Sequence, residues 1–198
     1  MGLDLDYADG QTLLDEDEKE GLLIPTIATR GELDEFEQQN IEQAILWSMK
    51  RSIKQETIFS EGFIKEVHKR MYGDVWSWAG KFRKTNKYLG VDKTVIGIEL
   101  KALLDDVSYW MDHKTFEPDE IVVRFKHRIV TIHCFANGNG RHSRLMADII
   151  REKAFKKPVF TWGAANLIKH DNARAEYLKA VKAADANNYE ALLKFARS

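Results

Sequence analysis

Twelve consecutive residues, His133-Cys134-Phe135-Ala136-Asn137-Gly138-Asn139-Gly140-Arg141-His142-Ser143-Arg144, concentrate the groups able to do chemistry. Two glycines one residue apart, Gly138 and Gly140, let the backbone turn so that successive N–H groups face one point. A helical pattern follows directly, and oriented amides at a helix N-terminus cradle an anion. Arg141 and Arg144 are three apart, hence neighbours on one helix face. A guanidinium fork matches phosphate oxygens two at a time, so a pair of arginines suits a polyphosphate. His133 stands at the mouth of the loop, with an ordinary pKa of about 6.5 that suits a general base near neutral pH. Asn137 supplies an amide donor and an oxygen for a phosphate or, more weakly, for hydrated Mg2+. Phe135 is the expected apolar anchor. The loop lacks the Lys-Ser/Thr ending of a P-loop and follows a helix, not a strand. Spacing alone therefore points to an anion site and to no particular reaction.

The elements that position this loop read as helices. From Glu32, Leu33, Phe36, Ile41, Ala44, Ile45 and Met49 recur on roughly one side. Ser60 is placed to cap a helix carrying Phe63, Val67, Met71 and Val75. Glu99 to His113 shows a stripe of Leu100, Leu103, Leu104, Val107, Trp110 and Met111. Pro118 suits a first helical position, and Ile121, Phe125, Ile129 and Ile132 aim one face of that helix into a core that ends at His133. Leu145, Ile149 and Ile150 continue the pattern beyond the loop, followed by helices at Leu167 to about Ala184 and Tyr189 to Phe195. Only residues 84–97 differ: Tyr88, Val91, Val95 and Ile96 between Gly90 and Gly97 predict one small β-hairpin. The fold class is mainly α.

Composition narrows the setting. The 198 residues carry 30 basic and 31 acidic side chains, but residues 1–44 hold 13 of the acidic and two of the basic ones, a net of −11. The body is therefore at +10, which fits an anionic ligand or self-association. The run Asp15 to Glu20 reads as a solvated arm, free or draped over the body. No apolar run is long enough to span a bilayer, and the acidic N-terminus is unlike a signal peptide. A lone cysteine, Cys134, excludes an internal disulfide and fits a cytoplasmic setting, with a small buried side chain its expected role. His113, His127, His133, His142 and Asp148 lack i, i+4 histidine spacing, a weak case for a metal hydrolase. His68 reads as a surface or satisfied residue. Basic residues scattered over several helices, with no helix-turn-helix, disfavour nucleic acid.

The twelve-residue string closely resembles the signature of Fic (Fido) domain proteins, His-Pro-Phe-x-Asp/Glu-Gly-Asn-Gly-Arg-x-x-Arg. The match falls at His133, Phe135, Gly138, Asn139, Gly140, Arg141 and Arg144. Trp76 to Arg83 (WSWAGKFR) is similar to the segment preceding that family's hairpin flap, and Ala173 to Phe195 to its closing helices. The likeness covers roughly residues 60–196. It divides the chain into an acidic extension with a packing helix (1–59) and a catalytic domain (60–198). The leader is similar to that of a bacterial subfamily called mobile mystery protein B.

The resemblance implies a Fic-type helical bundle with one flap, and transfer of AMP from ATP to a Ser, Thr or Tyr hydroxyl of a target protein. His133 would be the base, with Arg141 in the catalytic set. Asn137, Gly138, Asn139, Gly140, Arg141 and Arg144 would hold the nucleotide. The flap, at Lys84, Thr85, Asn86, Lys87, Tyr88, Leu89 and Gly90, would pair with the extended target. A regulatory or antitoxin-like partner and a homodimer are both compatible with it. Two residues depart from the signature. Cys134 replaces proline, and Asn137 replaces the acidic residue that holds Mg2+ (or Mn2+), which weakens that ion. The alternatives are another nucleotidyl or phospho transfer, removal of AMP, or a non-catalytic partner-binding module. The family's inhibitory motif, Ser/Thr-x-x-x-Glu-Gly/Asn, is missing. Glu35, Glu37, Glu42 or the acidic arm is instead expected at Arg144.

Overall fold

The computed structural model describes residues 13–163 and 170–198, with side chains from residue 175 in the second segment. Residues 1–12 of the leader, and the expected start of a helix at Leu167, lie outside the described residues. The order is α1 (Glu16–Lys19), α2 (Arg30–Lys50), α3 (Gln55–Ile58), α4 (Glu61–Tyr72), α5 (Ile96–Asp112), α6 (Pro118–Ile132), α7 (Asn139–Ile149), α8 (His170–Asp185) and α9 (Glu190–Arg197). Leu22 and Trp76 make an isolated β-bridge.

α6 is the central element, with α5, α7 and α9 packed around it. Pro118 takes its first position and Asp119 and Glu120 its first turn, where an absent N–H costs nothing and negative charge meets the helix dipole. Its buried set extends past the apolar stripe to Lys126 and His127 because neighbours enclose most of its circumference. Buried Asp119 accepts from Arg151, Lys157 and Arg197, tying the start of α6 to the π-turn after α7 and to α9. Burial pushes the Asp119 carboxyl upward, but the Arg151 and Arg197 guanidiniums outweigh it and hold it below the usual carboxylate range.

α2 and α4 form a second pair that packs on α7. Thr29 caps α2 by accepting from the Glu32 N–H at 3.3 Å, and Ser60 caps α4 by accepting from that of Phe63 at 3.2 Å. α2 does not bury the whole expected stripe. Leu33, Ile41 and Ala44 are inside, but so are Glu37, Asn40 and Ser48, whereas Ile45 and Met49 remain exposed. The reason is that the polar residues find partners there. Glu37 meets Trp76 and Arg141, and Asn40 accepts from the Asp74 N–H at 3.2 Å.

Two expectations need correction. The acidic run from Asp15 is not a free arm: α1 docks on the body through Glu18, while Asp15, Glu16, Asp17 and Glu20 stay exposed. Leu14 joins the core, and the Glu18 carbonyl accepts from the Trp78 indole at 2.9 Å. Ser77 donates to Gly21 and Leu23 to Val75, both at 2.8 Å. Residues 84–97 form no hairpin: 84–92 are a loop, and 93–95 a short 3-10 turn leading into α5. Arg83 supplies the cause. Its guanidinium takes the carbonyls of Thr85 and Val91, acceptors that a strand ladder would need. Asp92 then caps the 3-10 turn at Thr94, so Val95 and Ile96 start a helix.

Candidate active site

The loop between α6 and α7 turns at two left-handed residues. His133 ends α6 at φ 57°, and Gly138 precedes α7 at φ 75°. At Gly138 a Cβ would fall 2.5 Å from the Tyr72 ring, so shape and conformation both demand glycine there. At Gly140 a Cβ would meet no atom within 4 Å, and its small size leaves the first turn of α7 open.

Aromatic and amide contacts lock the loop. Phe135 is fully buried and stacks on His68, ring centroids 3.7 Å apart. His68 binds the Asn137 carbonyl at 3.0 Å through one ring nitrogen and accepts the Gly80 N–H at 3.0 Å through the other. This assigns the proton to the nitrogen facing Asn137. His142 meets Phe135 edge-on and hydrogen-bonds the Ile64 carbonyl at 3.0 Å. Asn139 turns inward: its oxygen accepts the Phe135 N–H at 3.0 Å and its amide donates to the Phe135 carbonyl at 2.8 Å. It shapes the cradle from within, leaving the backbone N–H groups at the start of α7 to face an anion.

His133 is 5% exposed, and the Gly90 backbone lies against it, since a Cβ on Gly90 would come 2.6 Å from His133 Cβ. Burial, helped by the charges of Arg83 and Lys87, lowers its pKa to about 4; a hydrogen bond to the Val130 carbonyl works the other way. The imidazole is therefore neutral above about pH 5 and able to accept a proton. Cys134 is buried, its thiol pushed up to about 12 by burial, so it is no nucleophile at neutral pH.

The arginines are held differently. Arg141 pairs with Glu37 at 2.6 Å, and the other Glu37 oxygen accepts the Trp76 indole N–H at 2.7 Å. The carboxylate on α2 thus sits at Arg141 and not at Arg144, where it was expected. Glu35 and Glu42 are exposed on the other sides of α2. Arg144 rests 5.4 Å from the centre of the Tyr177 ring, with its Nε buried and without a hydrogen bond. Both arginines line a groove of about 640 Å³ between α2 and α7, so solvent reaches them.

Arg83, which motif reasoning passed over, joins the loop of residues 84–92 to this site. It donates to the carbonyls of His133 at 2.6 Å and Thr85 at 2.8 Å, and to that of Val91. Its only signal in the sequence is its place at the end of the WSWAGKFR stretch. Lys87 points inward to Asp15, at 3.0 Å, and to Glu18, while Thr85 donates to Glu18 at 3.1 Å. Asn86 braces the loop through Asp92 at 2.7 Å. Tyr88 and Leu89 stand exposed at the tip, and Lys84 is exposed before it.

The metal readings receive no support from these residues. Asn137 Oδ1 already accepts the Gly138 N–H at 2.6 Å, and no group of three His, Cys, Asp or Glu among the described residues could hold an ion. The loop does not fit a protein-built Mg2+ site. His113 stacks on Tyr109, and His127 binds Asp185 and Tyr189, apart from the loop.

Residues 58–150 match the Fic/DOC family. The chain is 31% identical over 100 residues to the protein adenylyltransferase Fic of Aedes aegypti, covering 48% of this chain and 20% of that protein. It is 26% identical over 136 residues to the protein adenylyltransferase fic-1 of Caenorhabditis elegans, covering 67% and 25%. It thus spans a quarter or less of the length of these relatives. Among solved structures, residues 134–508 of C. elegans Fic-1 align with TM-score 0.66 at 22% identity, over 90% of this chain and 51% of that one. BepC of Bartonella tribocorum, solved with bound AMPPNP, aligns with TM-score 0.66 at 16% identity, over 91% and 95%. Both show the same fold.

Proposed function

We propose that this chain, which carries a Fic domain over residues 58–150, is a protein adenylyltransferase that moves AMP from ATP to a hydroxyl of a target protein. One observation carries the reading. A neutral, buried His133 stands at one end of a rigid loop, while the start of α7 with Arg141 and Arg144 stands at the other. The curated relatives bear the name protein adenylyltransferase, and BepC was solved with an ATP analogue.

The chemistry follows from this layout. The target hydroxyl gives its proton to His133 as its oxygen attacks the α-phosphorus. The bond from that phosphorus to the bridging oxygen breaks, and pyrophosphate leaves. The amides of α7 and the two guanidiniums stabilise the charge on the phosphates, so positioning and electrostatics do most of the work. Arg141 must exchange Glu37 for phosphate before this can happen. A divalent ion would arrive on the nucleotide's own oxygens. The target would lie along the loop of Lys84 to Gly90, whose exposed Tyr88 and Leu89 offer it apolar surface.

Asn137 favours a second reading, in which the same loop removes AMP or only binds a partner. The bacterial mobile mystery protein B assignment, a cytoplasmic setting and an antitoxin-like partner belong to this proposal as well, supported by the leader and by the single buried cysteine. Incubation with α-labelled ATP, Mn2+ and cell lysate tests the main reading. Label should enter protein, and His133→Ala should cut its rate by about 10²–10⁴-fold, the range for a lost general base. No label from the wild-type chain would sink the transferase reading. Release of AMP from labelled protein in its place would favour the second.

A further inference from the structure

Two cations address one phenol ring beneath the loop. Lys126 lies on α6 seven residues, or two helical turns, before His133, and is fully buried. Its Nζ is hydrogen-bonded to Tyr177 Oη and stands 4.2 Å from the centre of that ring. Among the described residues it pairs with no carboxylate, and burial together with nearby Arg144 lowers its proton affinity. From α7, the Arg144 guanidinium lies 5.4 Å from the same ring centre and has no hydrogen bond or ion pair among the described residues.

A buried amine costs free energy that a methionine of similar reach would not. What the amine provides is a fixed Tyr177. That ring is brought in by α8, and its face is the surface on which Arg144 rests. Arg141 gets its direction from a carboxylate, which also cancels its charge; Arg144 gets its direction from a ring, which does not. We propose that Lys126 is the positioning residue of Arg144, locking Tyr177 so that the loop's second guanidinium is oriented for the nucleotide phosphates. The inference rests on the reading of Arg144 as a phosphate-binding residue.

Calorimetric binding of AMPPNP to the full chain tests it, alongside KM and kcat for labelling. Lys126→Met should weaken binding about three- to tenfold, the size of one misplaced charge-assisted contact, and raise KM with kcat nearly unchanged. Tyr177→Phe keeps the ring but loses the hydroxyl and should do the same. Lys126→Gln can still donate to Tyr177 and should recover most of the affinity. If Lys126→Met fails to fold, as judged by its thermal midpoint, Tyr177→Phe and Lys126→Gln decide. Wild-type affinity in Lys126→Met and Tyr177→Phe would overturn the proposal, as would Lys126→Gln binding no better than Lys126→Met. Absence of AMPPNP binding by the wild-type chain would instead remove the nucleotide reading, and this inference with it.

Discussion

Two loops meet at His133 and are held by opposite means. The loop of residues 133–144 is fixed from inside by Phe135, His68, His142 and Asn139, through ring stacking and hydrogen bonds between neutral groups shielded from water. The loop of residues 84–92 is fixed by charge: Arg83 on backbone carbonyls, Lys87 on Asp15 and Glu18, and Asn86 on Asp92. Burial makes geometry rigid and insensitive to salt, whereas partly solvated ion pairs leave it adjustable. The proposed transfer would need the first property where phosphorus reacts and the second where a protein chain is admitted.

The contrast breaks most sharply at Phe135. Phe135→Ala removes the shared anchor of His68 and His142 and should cost about 3–5 kcal/mol of stability, read as a shifted urea midpoint. Acid should separate the loops next. His133 and His142 titrate near 4 because they are buried, and His68 lies well below 6.5 for the same reason. The unfolded chain protonates them near 6.5, so their contribution is complete above that pH and is lost as pH falls toward 4. The loss should be on the order of a few kcal/mol, measured as the urea midpoint at pH 7 against pH 5. The loop of residues 84–92 moves the other way. Asp92, held at about 2 by hydrogen bonds from Thr94 and Asn86, keeps its charge throughout that window, so exchange protection of residues 84–92 should outlast the histidines. The smallest effect is expected at Glu18. Glu18→Gln leaves Asp15 on Lys87, so global stability should change by only about 1–2 kcal/mol although Glu18 is buried, while amide exchange in residues 84–92 quickens. High salt should have the same local effect on the wild-type chain. Equal quickening in residues 133–144 would end the distinction between the loops.

Much of this was legible in the residues. Helices α4 to α7 follow apolar spacing and two punctuation residues, Ser60 and Pro118, because their buried faces are set by local geometry. The turn between α6 and α7 was legible because two glycines one residue apart interrupt the apolar spacing on either side. The positions that escaped are those whose meaning comes from a distant partner. Glu37 is one of three candidate glutamates until Trp76 and Arg141 single it out, and Asn40 looks like a solvent-facing residue until Asp74 comes into place. Asn139 reads as a ligand for phosphate, yet its side chain is spent on Phe135. The β-formers of residues 88–96 suggested a hairpin, but Arg83 claims the carbonyls first. The leader's charge pattern suggested solvation, because Lys87, its counter-ion, is about seventy residues away in sequence.

Trp76 has one more property. It is 1% exposed, stacked on Trp78 with centroids 5.0 Å apart, and its indole N–H ends on the carboxylate that also holds Arg141. Any anion that takes Arg141 changes the charge balance beside an indole otherwise sealed from water. Its emission should therefore shift if an anion takes Arg141, giving the molecule a built-in optical gauge of that exchange.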